Sequence, residues 1–343
     1  MYHEFGASYR KAISVSLIIE CFTYPTEEII RTMITEELTK QGKAAEFDTV
    51  SALLGEAVQP SFIGKYQLEL LEIAAEIKKA GMYEAYKSHS TKEKKNILQH
   101  KKIAEAIHNV QQRYFWMNNA YAGTKILPAS HFVHDVQEIC KKFEDPEQES
   151  KRIHEHFATL QKRKKQVCEK YHLSDELQQL IFINDNMGII HDYRKEVITY
   201  ANYFIDEFIK RIASEKHISH ELMRYVSELE CTEKLLATIT PELLEERRKT
   251  MVHIVTSQQE EYIFSGKEAK KFIQEVSKQH QYQEEEILKG YCASQGHVQG
   301  KVKVCRGLAE IAKFKEGNVL VACMTQPEFV PAMKKAVAVV TDE

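Results

Sequence analysis

Gly290-Tyr291-Cys292-Ala293-Ser294-Gln295-Gly296-His297-Val298-Gln299-Gly300-Lys301-Val302 separates two kinds of sequence in this chain. Glycine density marks the change: the first 280 residues hold 8 of the 13 glycines, and Gly290 to Gly317 holds the other 5. Beyond the stretch the apolar period is two. Val302 and Val304 alternate with Lys301 and Lys303, which predicts a half-buried strand. Asn318 to Ala322 is an apolar run opened by Gly317 and predicts a buried strand. Pro327 to Lys335 predicts a short helix, and Ala336 to Val340 a second buried strand. Strand, helix, strand in that order is an α/β element.

Upstream, apolar residues recur at steps of three and four. Ile198, Ala201, Ile205, Phe208 and Ile212 fall on one face of a helix and need a partner to cover them. The same pattern predicts helices over Thr26–Lys40, Gln67–Lys79, Glu93–Asn118, Ala129–Phe143, Glu147–Tyr171 and Asp175–Ala213. Thr26 before Glu27-Glu28, and Ser174 before Asp175-Glu176, read as helix starts with acids at the positive end of the dipole. Pro146 and Pro241 suit first turns, and Gly42 and Gly81 suit helix stops. Met251–Val255 and Glu261–Phe264, around a polar turn, predict a small β-ribbon. The fold class expected is mainly α: a multi-helix domain over 1–284 with a ribbon near 251–264, then a partial α/β domain over 285–343. No fixed period repeats along the chain, which disfavours a solenoid.

Lysine plus arginine number 47 and aspartate plus glutamate 50, for a net charge of −3. No global field draws the chain to nucleic acid or anionic lipid. The start, Met1-Tyr2-His3-Glu4-Phe5-Gly6, has no basic segment followed by an apolar one, and no apolar run is long enough to span a bilayer. A cytoplasmic location is the expectation. Seven cysteines, at 21, 140, 168, 231, 292, 305 and 323, include no Cys-x-x-Cys pair, so reduced thiols and no zinc site are expected. His131 and His134 share a helix face while His154 and His156 do not, and solvated or partly buried histidines are favoured over metal ligands. The basic run Gln161–Lys165 is flanked by acids and reads as a solvated face. Trp116, beside Tyr114 and Phe115, reads as core, with contact to a phosphoryl acceptor the minority reading.

The opening stretch resembles the start of the mobile phosphohistidine domain of phosphoenolpyruvate synthase, pyruvate phosphate dikinase and rifamycin phosphotransferase. Ala293-Ser294-x-Gly296 followed by Gly300 is the shared core. A second signature follows in order: Gly317-Asn318-Val319-Leu320-Val321, Met324-Thr325-Gln326-Pro327, Met333-Lys334-Lys335-Ala336, then Ala338-Val339-Val340-Thr341-Asp342. Upstream, Tyr114-Phe115-Trp116, Tyr193-Arg194-Lys195-Glu196, His220-Glu221-Leu222 and Tyr225–Glu230 resemble, more loosely, the helical segment preceding that domain in rifamycin phosphotransferase-like proteins.

The resemblance implies a swivelling carrier that takes phosphate on a histidine and moves it between two sites. A covalent intermediate divides one difficult transfer into two easier ones, and rigid-body motion on a hinge, here Glu284–Lys289, carries it. The family's histidine follows a glycine pair that would come after Glu343, so this chain alone is expected to be inactive. The motif residues are Ser294, Gly296, Gly300, Thr325, Pro327, Thr341 and Asp342. Gly296 and Gly300 are read chiefly as turn residues, Ser294 and Thr325 chiefly as caps, and Thr341 and Asp342 as bordering the carrier site. His297 is read as a turn residue and not a surrogate acceptor. No cofactor is expected in this chain; ATP and magnesium belong to the parent enzyme by resemblance. The partners implied are an ATP-grasp nucleotide-binding domain, in cis or in trans, and a small-molecule phosphoryl acceptor. The alternative is a non-catalytic helical scaffold or docking subunit that kept a degenerate mobile domain.

Overall fold

The computed structural model describes residues 2–87, 100–119, 123–257, 260–279, 290, 296–306, 308–323 and 329–342. The chain divides into two compact units, Met1–Phe208 and Ile209–Glu343.

The first unit is helical. Its elements are α1 (Tyr2–Lys40), α2 (Phe47–Leu54), α3 (Phe62–Lys79), α4 (Tyr83–Lys87), α5 (Lys101–Tyr114), α6 (Ala129–Lys142), α7 (Pro146–Lys170) and most of α8 (Asp175–Lys216). One core gathers Leu71, Ala74 and Ile77 of α3, Tyr86 of α4, Ile103 and Ile107 of α5 and Phe132 and Val136 of α6. The Tyr86 hydroxyl donates to the Val133 carbonyl at 2.9 Å, and the Gln137 amide donates to the Tyr86 carbonyl at 2.9 Å. These bonds satisfy polar groups that burial would otherwise penalise. A second core joins Ile30, Ile34 and Leu38 of α1, Val50 and Leu54 of α2, Cys168 of α7 and Leu177 and Ile181 of α8. Lys164 of α7 donates to Asp185 of α8 at 2.7 Å, a pair largely withdrawn from water.

Most helix signals act as their chemistry dictates. Asp145 caps α7 by accepting from the Gln148 amide at 3.2 Å, with Pro146 in the first turn. Ser174 accepts from the Leu177 amide at 3.3 Å at the start of α8. After α1 and α3 the chain turns through Gly42 (φ +69°) and Gly81 (φ +72°), conformations that a Cβ disfavours. Thr26 is different. It lies inside α1, and its hydroxyl donates back to the Phe22 carbonyl at 2.6 Å. The helix runs through Pro25, so Thr26 is an interior residue and not a cap. The first residues of the predicted 93–118 helix, 93–99, lie outside the described residues; α5 begins at Lys101.

The second unit opens with the end of α8 and short turns of helix, then α9 (Pro241–Lys249), β1 (Met251–Val255), β2 (Glu261–Ser265) and α10 (Gly266–Gln279). β1 and β2 form the expected ribbon, antiparallel, with Met251 opposite Ser265 and Val255 opposite Glu261. Arg247, 6% exposed, gives two 2.7 Å bonds to the Glu230 carboxylate and a third of 3.1 Å to the Tyr225 carbonyl. Glu230 also closes a capping box with Ser227, whose hydroxyl donates to Glu261 on the ribbon. Burial pushes the Glu230 carboxyl up, but the Arg247 hydrogen bonds, the Ser227 amide and the nearby positive charge outweigh it and hold it below its ordinary value. A depressed carboxylate stabilises the fold above the unfolded value of about 4.3, and that contribution disappears as pH falls through the folded value. Exchange protection of the β1–β2 amides is therefore expected to fall as pH drops below about 4. Glu230→Gln is expected to weaken protection at pH 7 and flatten this dependence; an unchanged acid profile in that variant would contradict the assignment.

The rest of the unit is a three-stranded parallel sheet, β3 (Val302–Val304), β4 (Val319–Ala322) and β5 (Ala338–Thr341), in that order. Val302, Val319 and Ala338 are in register, as are Val304, Val321 and Val340. Two short helices, Leu308–Ile311 and Val330–Met333, connect the strands. One face is covered: Leu320 and Ala322 pack with Cys305, Phe314, Phe329 and Ala332. The other face is open at its outer strands, with Val302 67%, Val304 48% and Val340 52% exposed, while Val319 and Val321 of β4 are half-buried. This corrects two expectations. β3 turns its valines to solvent rather than half-burying them, and β5 is an exposed edge strand rather than a buried one. The physical reason is that the described helices lie over only one side of a sheet whose residues are apolar on both.

Among the described residues no helix is long and apolar enough to cross a membrane.

Candidate functional site

The two ends of the parallel sheet have different jobs. At the end where the strands begin, the chain is packed backbone against backbone. The Val319 amide donates to the Lys301 carbonyl at 2.9 Å, the Gly317 amide to Lys335 at 3.0 Å and the Val337 amide to Asn318 at 3.0 Å. Gly300 sits in this seam. A Cβ there would lie 2.5 Å from the Gly317 carbonyl oxygen and 2.9 Å from Val337 Cγ2. Gly317 itself turns at φ +82°. Gly300 is thus required by close approach. Gly296 is exposed, and a Cβ on it would meet nothing within 4 Å.

At the end where the strands finish, side chains with chemistry gather. The Asp342 amide donates to the Cys323 carbonyl at 3.2 Å, fastening the ends of β4 and β5. The Cys323 thiol is pushed up by its hydrogen bond to the Asp342 carboxylate and by that group's negative charge, against the pull of Arg306. It stays a protonated donor and not a thiolate at neutral pH. Cys305, buried at the end of β3, is pushed up by burial. Thr341 closes β5 and is half-buried. Open parallel sheets bind ligands outside the carboxyl ends of their strands. Arg306 and Asp342 border that edge with opposite charges, and Thr341 adds a hydroxyl.

The structure therefore brings Thr341 and Asp342 together and sets Gly300 at the opposite end of the strands. Ser294, Thr325, Pro327 and the hinge Glu284–Lys289 lie outside the described residues. Cys323 and Arg306 were not singled out from sequence. Their signal is positional: each follows the end of a strand in a parallel sheet.

In the helical unit two of the four histidines weighed as metal ligands, His131 and His156, face carboxylates. His131 Nε2 lies 3.3 Å from Asp135 Oδ2, which also accepts from the Tyr66 hydroxyl at 2.7 Å. Burial and the Asp135 charge push the Tyr66 phenol far up, so it remains a donor. His156 lies 2.8 Å from Glu56. Among the described residues no three His, Cys, Asp or Glu side chains are grouped to hold a metal ion. Trp116 is 3% exposed, between Phe62 at 5.9 Å and Tyr200 at 5.6 Å, as a core residue should be.

No family model matches the chain. Curated proteins do match over part of it. A protein named probable phosphoenolpyruvate synthase from Archaeoglobus fulgidus is 49% identical over 77 residues, 22% of this chain and 10% of the relative. Phosphoenolpyruvate synthase from Pyrococcus furiosus is 56% identical over 59 residues, 17% of this chain and 7% of the relative. A probable phosphoenolpyruvate synthase from Methanocaldococcus jannaschii is 56% identical over 57 residues, 17% of this chain and 5% of the relative. The matched stretch thus spans a tenth or less of each relative. Over that stretch alone the chain is similar to proteins named phosphoenolpyruvate synthase.

Proposed function

We propose that this chain is the helical segment and the first part of the phosphohistidine carrier domain of an ATP-dependent phosphotransferase. In this reading the carrier begins near residue 285 and its histidine follows Glu343. The observation that carries it is the order of both carrier signatures, Ala293-Ser294-x-Gly296 with Gly300 and then Gly317 to Asp342, within residues 285–343. The local similarity to proteins named phosphoenolpyruvate synthase supports it. The open valine face of the sheet supports the same reading, because a parallel sheet is stable with both faces covered. Further helices of a carrier would cover it.

The chemistry follows from the class of intermediate. An imidazole nitrogen would attack a phosphoryl group of ATP held on an ATP-grasp domain, in cis or in trans, forming the N–P bond as the P–O bond to the departing nucleotide breaks, and magnesium would offset the phosphate charge. The phosphohistidine then swings to a second site, where the acceptor oxygen displaces the imidazole. The acceptor is pyruvate for a synthase-like parent and another small molecule for a rifamycin phosphotransferase-like one. The Arg306, Thr341 and Asp342 edge borders the carrier site, and Gly300 holds the strands that present it. The protein works in the cytoplasm, where ATP is supplied.

The test is phosphate labelling. The reading frame continued past Glu343 is expressed and incubated with magnesium, an ATP-grasp partner and ATP labelled in its β or γ phosphate. An acid-labile label on a histidine C-terminal to Asp342 is expected, with none on residues 1–343. A frame that stops at Glu343, or a continued protein that takes no label, would favour the scaffold instead.

A further inference from the structure

Positive charge is divided unevenly between the two ends of the parallel sheet. Lys301 opens β3 and Lys303 lies within it, Lys313 and Lys315 lead into β4, and Lys334 and Lys335 lead into β5. Among the described residues between 296 and 342, Arg306 is the one lysine or arginine placed where the strands finish, and it is exposed. Register fixes its neighbours. Val304, Val321 and Val340 lie abreast on the open face of the sheet. Two residues further along each strand stand Arg306, Cys323 and Asp342, all exposed, and a step of two returns to the same face. The carboxyl end of the sheet therefore carries a row of guanidinium, thiol and carboxylate.

From this row we propose that Arg306 holds the phosphoryl group while it rides on the carrier histidine, a role that rests on the phosphocarrier reading. Position supports it first. Ligands of open parallel sheets lie outside the carboxyl ends of the strands, and in that reading the histidine follows Asp342 out of the same end. The charge on Arg306 is also uncommitted. Arg306 and Asp342 stand two strand spacings apart, about 9.6 Å, which is beyond ion-pair reach. Over such a gap salt screens exposed charges, the screening length being about 8 Å. The Cys323 thiol between them donates to the Asp342 carboxylate and keeps it on its own side. Among the described residues no carboxylate pairs with Arg306. Transit supplies the need. Magnesium offsets phosphate charge at the nucleotide site, whereas a phosphoryl group in motion requires a counter-charge that moves with it. A guanidinium on the carrier itself meets that requirement, and its planar fork gives two parallel N–H bonds to phosphate oxygens.

The test uses the reading frame continued past Glu343, with magnesium, an ATP-grasp partner and ATP labelled in its β or γ phosphate. Arg306→Gln is expected to slow uptake of the acid-labile label by about tenfold or more, as loss of a donor to developing charge does. The label already on the protein is expected to be lost faster, and the KM for ATP to stay unchanged because the nucleotide sits on another domain. Arg306→Lys keeps the charge without the fork and is expected to recover part of the rate. Cys323→Asp leaves Arg306 in place but sets a carboxylate one strand spacing from it, about 4.8 Å, where the two can pair. This variant is expected to reproduce the Arg306→Gln defect, and it carries the test if Arg306→Gln misfolds. Lys315→Gln, at the other end of the strands, is expected to take label at the parent rate. A labelled parent protein matched in rate by both Arg306→Gln and Cys323→Asp would overturn the role and leave the carrier reading standing. A parent protein that takes no label would overturn both.

Discussion

Gly300→Val is expected to unfold the C-terminal sheet while leaving the helices standing. The added Cβ would sit 2.5 Å from the Gly317 carbonyl oxygen and 2.9 Å from Val337. No flexible side-chain tip is there to swing away. The nearer atom belongs to a backbone turn held at φ +82° and bonded to Lys335. Relief requires separating β3 from the turn that starts β4, which breaks the 2.9 Å bond from Val319 to Lys301. Overpacking a close contact costs about 1–3 kcal/mol, and a β-branched side chain set against backbone falls at the upper end. A three-stranded sheet with one face in water has little reserve against that. Hydrogen exchange at the amides of Val319–Val321 is expected to lose its protection, with the α3 and α6 amides unchanged. Gly296→Val is the control, since its Cβ would meet nothing. Equal protection in the two variants would remove Gly300 from the account.

Arg247→Ala is expected to cost about 3–5 kcal/mol, the effect of removing one partner of a buried ion pair. The guanidinium is 6% exposed and holds three acceptors: both oxygens of Glu230 and the Tyr225 carbonyl. Its loss leaves a half-buried carboxylate that is already bound into the Ser227 capping box. In a segment of this size each kcal/mol moves the melting midpoint by about 4–8 °C, so the transition involving the ribbon falls by tens of degrees. The pair Arg247→Met/Glu230→Leu is expected to recover most of the loss, because apolar replacement of a whole buried pair is often neutral. If the double variant is no better than Arg247→Ala, the energy lies in packing around the arginine and not in the ion pair.

Helix positions were legible in the sequence because their signals are local. Pro146, Ser174, Pro241, Gly42 and Gly81 each act within one turn. The ribbon was legible for the same reason. Thr26 misled because a threonine hydroxyl can cap the turn ahead or bond the turn behind, and only the continuous helix through Pro25 decides which. The sheet's exposure was illegible because alternation tells which residues share a face, not whether anything covers that face. Cys323 and Arg306 escaped notice because their meaning comes from parallel pairing, a long-range fact. The Arg247–Glu230 pair, between residues on separate helical turns, was hidden for the same reason.

The central claim is that residues 285–343 are the front of a phosphohistidine carrier, and a chimera tests it most directly. In the phosphoenolpyruvate synthase of Pyrococcus furiosus, the 59 matched residues are replaced by the stretch of this chain that matches them. Formation of phosphoenolpyruvate at a rate within about tenfold of the parent's is the expected result, a barrier change of under about 1.4 kcal/mol. The same chimera carrying Gly300→Val is expected to lose it. A folded chimera that makes no phosphoenolpyruvate and takes up no phosphate would contradict the account.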